Sequence, residues 1–218
     1  MFGFLSCKIS IIEFTFKIIQ DTLEQNGYCV FSKIMNTCEY TKVPHNRERT
    51  FIMCFLEGKN AFLDPSMPMS SNFQTLFPPD KINKLDPIKN FLETKELDEK
   101  YYYRQDKYNY EEISKSVTKT DTFYQWRRVY VRENKSGVCP TLTANMGTGG
   151  HNVPLIKDDY GIRKLSPREC FNLQGFPTNF KFPDDVPNTQ LYKQAGNSVT
   201  VAMINALAKI IYKCLNTN

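Results

Sequence analysis

The sequence contains one tryptophan, two histidines and no cysteine pair spaced C-x-x-C. A structural zinc site draws four clustered ligands from Cys and His, so this pattern speaks against one, and no metal is expected. Seven cysteines, at positions 7, 29, 38, 54, 139, 170 and 214, form an odd and irregular set that does not suit a disulfide framework. A reduced, cytoplasmic protein is the expectation. Long apolar runs are absent too. The greasy opening is interrupted by Lys8, Glu13 and Lys17 and has neither a basic n-region nor a small-residue cleavage site. A soluble chain with no membrane partner is therefore expected. Charge of one sign does not dominate: 28 Lys and Arg against 23 Asp and Glu leave +5, compatible with a polyanionic partner without identifying one. No internal repeat appears.

With 218 residues, 41% of them hydrophobic, the chain can bury the core of one large domain or two small ones. Residues 13–26 place Phe16, Ile19 and Leu23 at helical spacing, and Gly27 follows as a C′ residue. YCVFSKIM (28–35) and TFIMCFL (50–56) read as strands, giving the rhythm of an α/β layer. Residues 60–135 turn polar, with Pro78–Pro79, the charged stretch ETKELDEK and the aromatic run YYYRQDKYNY, and carry no clear period. Packed aromatics of a small domain and a ligand-facing surface would both produce that run. In LSPRECFNLQGFP, Ser166 as N-cap, Pro167 at N1, Glu169 at N3 and Gly175 beyond the end predict a short capped helix. GNSVTVAMINALAKIIYKCL reads as a strand-like entry into an amphipathic helix with Met203, Ala206, Leu207, Ile210 and Cys214 on one face.

The stretch VPHNRERTFIMCF (43–55) poses a chemical question. In an extended chain Arg47, Arg49, Phe51 and Met53 share a face. Guanidinium groups at the edge of a buried strand are costly unless something polar or anionic meets them. A local carboxylate such as Glu48 or Glu39 would serve, and so would an anionic ligand.

VPHNRERTFIMCF, RKLSPRECFNLQGFP and QAGNSVTVA resemble motifs VIII, IX and X of the DNA cytosine-5 methyltransferases, in that order and with a variable region between the first two. FKIIQDTLEQNGYCVFSKIMNT (16–37) is similar to the segment before motif VIII. The resemblance implies an α/β fold: the C-terminal part of a Rossmann-like domain plus a small, mostly irregular or β target-recognition domain. Expected boundaries are 1–59 for part of the catalytic domain, 60–162 for the recognition domain and 163–218 for the return through motifs IX and X.

By motif position, Arg49 would hydrogen-bond O2 of a flipped cytosine, and Arg47 would hold a nearby DNA phosphate. His45 stands where the family usually has glutamine. Thr141 and Leu142, in CPTLTANMGTGGHNVP, match a Thr-Leu pair packed near the flipped nucleotide, and Gly147, Gly149 and Gly150 would let backbone approach DNA. An ordinary flexible loop would carry the same glycines. Arg127, Arg128, Arg132 and Lys135, interleaved with aromatics, suit a phosphate-tracking surface, and equally a solvated face. Arg168 and Glu169 would organise the motif IX helix. Asn197 and Ser198, at the start of the last helix, would lie beside the methionine part of S-adenosylmethionine or act simply as N-caps.

The family's N-terminal half supplies a glycine-rich cofactor loop, a Pro-Cys catalytic dipeptide and a Glu-Asn-Val motif, none of which occurs in this sequence; Cys139-Pro140 is the reverse order. The expectation is a C-terminal subunit or fragment of a restriction–modification methyltransferase. It would bind duplex DNA, hold an incomplete S-adenosylmethionine site and be inactive without a separate N-terminal half encoded upstream. The alternatives are an inactive DNA-binding remnant and an RNA-directed relative.

Overall fold

The computed structural model describes residues 3–56, 77–78, 84–107, 109–127, 129–134, 136–148 and 152–216, with the backbone alone for 3–13 and 215–216. Its contacts form two compact units, one of 1–35, 49–79 and 207–218, the other of 36–48 and 80–206.

The first unit opens with helix α1 (Gly3–Gln25), which begins well before the expected stretch. It ends where the sequence predicts: the Asn26 amide bonds back to the Thr22 and Leu23 carbonyls, and Gly27 takes φ +78°, where a Cβ would be strained. Strands β1 (Tyr28–Asn36) and β2 (Glu48–Leu56) follow and pair as a two-stranded sheet. In β2 the alternation of side chains sends Met53 and Phe55 inward and turns Ile52 outward, while Arg49, on the face of Met53, is exposed because the first three residues of the strand are all uncovered. Phe31 meets Phe55 edge-on at 6.2 Å, and the Lys33 ammonium lies 5.8 Å from the Phe77 ring centre.

The second unit begins with the single turn α2 (Thr37–Tyr40). Two 3-10 turns, Ile88–Phe91 and Glu99–Tyr101, and helix α3 (Tyr110–Ser116) occupy the region without a clear period. β3 (Phe123–Arg127), β4 (Tyr130–Asn134), β5 (Leu155–Asp158) and β6 (Gly161–Lys164) make an antiparallel sheet in the order β4-β3-β5-β6. Its two faces bury different clusters. Tyr124, Trp126, Leu155 and Ile162 pack with Ile113 and Val117 of the α3 region. Phe123 and Ile156 join Cys139, Leu142, Met146 and Leu165 on the other side.

That second cluster also takes in α4 (Pro167–Asn172) and α5 (Asn188–Asn197), through Cys170, Phe171, Leu191, Tyr192 and Ala195. Residues 163–206 therefore cluster with the sheet-bearing region. The cause is apolar: the segment 139–146 supplies the surface on which α4 and α5 bury their inward faces. The last helix, α6 (Val201–Asn216), buries Met203, Leu207 and Cys214, as its periodicity predicts. Among the described residues no helix is long and apolar enough to cross a membrane, and no group of His, Cys, Asp and Glu could hold a metal ion.

Candidate functional site

Residues 44–47 run beside 138–142 as a short parallel pairing. The Cys139 amide donates to Pro44 O (2.7 Å), and the Asn46 amide donates to Cys139 O (2.8 Å). Side chains extend the contact: the Thr141 hydroxyl donates to Asn46 O (2.7 Å), and the Leu142 amide donates to His45 Nε2 (3.2 Å). His45 is fully buried, and as an acceptor its Nε2 carries no proton. Glutamine, the usual residue of the resembling motif, offers a carbonyl acceptor of the same kind.

Arg47 meets carbonyl oxygens. Its Nη1 donates to Leu142 O (3.1 Å), and its Nη2 donates to Gly196 O (3.0 Å) and Ser198 O (2.7 Å). The residue is 4% exposed. Gly196 and Ser198 sit at the C-terminal end of α5, where carbonyls lack intrahelical donors and the helix dipole is negative. A planar cation with forked donors answers both needs. Gly196 matters for the same contact: a Cβ there would lie 2.3 Å from Thr143 C and 2.4 Å from the Ala144 nitrogen, both backbone atoms. Only glycine lets the 143–144 backbone approach the helix end so closely.

Asn197 and Ser198 thus end one helix and do not begin the next. Asn197 is the last residue of α5 and exposed, Ser198 is its C-cap, and the Ser198 hydroxyl donates to Ala195 O (2.8 Å), so neither is an N-cap. The sequence stretch misled because α5 carries few apolar residues and follows Pro187; Leu191, Tyr192 and Ala195 were its only periodic signal. The start of α6 is organised by Thr200, whose carbonyl receives the Met203 and Ile204 amides. The Thr200 hydroxyl lies 3.0 Å from that of Thr37 and 3.1 Å from Gln174 Oε1. Gln174, fully buried, also donates to Ala195 O (2.7 Å) and so ties the end of the capped segment to α5.

A second buried arginine was not singled out from the sequence. Arg163, 0% exposed, makes a two-pronged ion pair with Glu169 (2.7 Å on each arm) and reaches Asp158 at 2.5 Å. Burial works against its charge, but the two carboxylates outweigh that and raise its pKa further. Glu169 completes the predicted capping box, accepting from the Ser166 amide (2.8 Å) while its own amide donates to Ser166 Oγ (3.2 Å). It also accepts from the Glu93 amide (2.9 Å). Arg168 plays an organising part too: it donates to Phe180 O (2.6 Å) and stacks 3.9 Å from the Phe182 ring centre.

The family comparison decides what this constellation belongs to. The model of the C-5 cytosine-specific DNA methylases matches residues 12–213. The chain belongs to that family. It is 48% identical over 202 residues to the type II methyltransferase M.Bsp6I of Bacillus sp. (strain RFL6), covering 92% of this chain and 60% of that protein. It is 30% identical over 217 residues to the type II methyltransferase M.HhaI of Haemophilus parahaemolyticus, covering 93% and 59%. Among solved structures, the S. pombe Dnmt2 methyltransferase superposes with a TM-score of 0.64 at 17% identity, covering 93% of this chain and 64% of that one, which supports the α/β methyltransferase fold. The chain spans between 43% and 60% of the length of the curated relatives it matches.

Within this C-5 cytosine methylase chain the expected site residues fall into distinct settings. Arg49 is exposed at the start of β2, in the first unit. Leu142, 1% exposed, puts its side chain in the apolar cluster, so only its backbone belongs to the Arg47 contact. Thr141 is half-buried. On the exposed face of the β3–β4 hairpin, Gln125 Oε1 accepts from both Arg127 (2.9 Å) and Arg132 (2.6 Å), and Val129 at the turn is 80% exposed. Arg128, Lys135, Gly149 and Gly150 lie outside the described residues. Gly147 is seated against Tyr192, where a Cβ would approach the ring carbons to 2.8 Å, so it serves packing. Burial pushes the thiols of Cys139 and Cys170 well above their ordinary range, and those of Cys54 and Cys214 upward as well.

Proposed function

We propose that this chain is the C-terminal subunit or fragment of a DNA (cytosine-5-)-methyltransferase, carrying its target-recognition module and the cation of its active site. It would act with a separately supplied N-terminal half. C5 of cytosine is a poor nucleophile until a thiolate adds to C6, and the ring charge that develops needs an acid near N3 and a cation near O2. The base must leave the duplex to reach these groups. The observation that carries the proposal is the mismatch between family and cysteines: the match runs from 12 to 213, yet no Pro-Cys occurs, and burial raises the pKa of four of the cysteines. Those four environments suit packing and oppose thiolate formation.

In this reading Arg49 supplies the cation at O2, and Arg127, Arg128 and Thr141 contact DNA. The exposed Arg127–Arg132 pair, fixed by one amide oxygen, supports a phosphate-facing surface on the β3–β4 hairpin. For S-adenosylmethionine, Asn197 and Ser198 fit one edge of a site: Asn197 is exposed, and the Ser198 hydroxyl keeps acceptor capacity while donating to Ala195 O. The glycine-rich cradle belongs to the other half.

The test is transfer of radiolabelled methyl groups from S-adenosylmethionine to mixed-sequence duplex DNA. The chain would be assayed alone and paired with the N-terminal part of M.Bsp6I. Transfer by the pair only is expected, with Arg49→Ala lowering turnover at least tenfold more than DNA affinity. Transfer by the chain alone would require another nucleophile. DNA binding without transfer in either preparation would favour the inactive remnant.

A further inference from the structure

We infer that Arg47 is a positioning residue: it locks the 141–144 segment onto the end of α5, so that the DNA-facing segment and the Asn197–Ser198 edge are set as one piece, and it does not hold a DNA phosphate. The inference rests on the proposed function for the meaning of those two ends, while the lock stands on geometry alone. One guanidinium bonds Leu142 O on one side and Gly196 O and Ser198 O on the other. The same two segments touch again where Gly196 admits the Thr143–Ala144 backbone. Thr141 and Leu142 are fastened to Asn46 and His45, immediately before Arg47. The 141–144 segment is therefore gripped from both sides by residues 45–47 and 196–198.

To reach a phosphate, Arg47 would have to leave carbonyls at a buried helix end, which then lose their donors. A lysine keeps the charge but lacks the planar fork that spans three acceptors. Damage to the lock should thus loosen DNA and cofactor together, whereas loss of a phosphate ligand should weaken DNA alone and change its salt dependence.

Arg47→Lys and, separately, Gly196→Ala are made in this chain and paired with the N-terminal part of M.Bsp6I. Gly196→Ala jams the same contact without altering any charge. DNA affinity is measured across salt concentrations, S-adenosylmethionine affinity by calorimetry, and amide exchange by mass spectrometry. Both variants are expected to weaken DNA and cofactor binding by at least fivefold each, to leave the slope of log affinity on log salt unchanged, and to speed exchange at 142–146. Exchange at 166–170 should stay slow, showing the unit still folded. Arg47→Ala, made and paired in the same way, removes the charge; a slope reduced by about 0.9 in that variant, the signature of one lost phosphate contact, would overturn the inference. So would cofactor affinity unmoved by Gly196→Ala. If the unsubstituted pair transfers no methyl groups, the proposed function fails, and the exchange and salt measurements on this chain still decide the lock.

Discussion

The two compact units differ in how they use polar and apolar surface. The second ties its buried polar groups into networks: Arg163 is paired with two carboxylates, Arg47 binds three carbonyls, Gln174 joins α5 to Thr200, and the sheet buries an apolar cluster on each face. Both units expose apolar side chains, Val129 at the hairpin turn of the second to 80%, but in the first they recur along its helix and both strands: Phe14, Ile18, Ile34 and Ile52 are exposed, Ile34 to 63%. A two-stranded sheet alone is marginal in water, because it lacks strands and a full core. The difference fits the proposed function, in which one unit is a finished module and the other a portion of a larger layer. M.Bsp6I and M.HhaI, of which the chain spans 60% and 59%, are long enough to hold such a remainder.

Breaking the finished unit should take a buried polar group. Arg163→Met leaves Glu169 charged inside the protein, and a loss of about 3–5 kcal/mol is expected in denaturant unfolding of the second unit. A variant within 1 kcal/mol of the parent would show that the pair is not what closes this unit. Gln174→Leu takes one of two donors from the Ala195 carbonyl, which keeps the Ser198 hydroxyl, and one of two partners from the Thr200 hydroxyl, which keeps Thr37, for roughly 0.5–1.5 kcal/mol by the same measurement.

The thiols give a subtler contrast. Cys139 and Cys170 should resist alkylation at pH 8 in the native chain and react fully in denaturant, whereas half-buried Cys29 and Cys38 react first. The folded state raises these two thiol pKa values, so it binds protons that the unfolded chain releases near the ordinary 9.0. Their contribution to stability is therefore intact below pH 9 and lost as the pH rises above it. Rapid native labelling of Cys170 would contradict its burial.

The smallest effect on the chain itself is expected at its exposed apolar positions. Ile34→Thr should change its unfolding free energy by no more than about 0.5 kcal/mol. The same substitution should weaken association with the N-terminal part of M.Bsp6I in sedimentation experiments. Unchanged association would remove Ile34 from the completing face.

Much of the local structure was legible in the sequence because each signal was stereochemical. Ser166, Pro167 and Glu169 wrote the cap of α4, Gly27 the end of α1, and the spacing of Met203, Leu207 and Cys214 the buried face of α6. What escaped depended on distant partners. β3–β6 are short, and their two faces bury different clusters, so no simple alternation betrays them. Arg163 resembles any surface arginine until Asp158 and Glu169 fold around it. Arg47 and Arg49 show the limit most clearly: two residues apart in one motif, one is buried against carbonyls and the other exposed. The residue pattern posed the question of what they meet, and only the fold could give them different answers.

The most direct test of a finished module joined to an unfinished layer is amide exchange on the full chain, alone and with the N-terminal part of M.Bsp6I. The helices and strands of the second unit from Phe123 to Asn197 should show the same strong protection in both samples, while 14–35 and 49–56 gain protection only in the pair. Equal and strong protection of 14–35 and 49–56 in the chain alone would contradict the account.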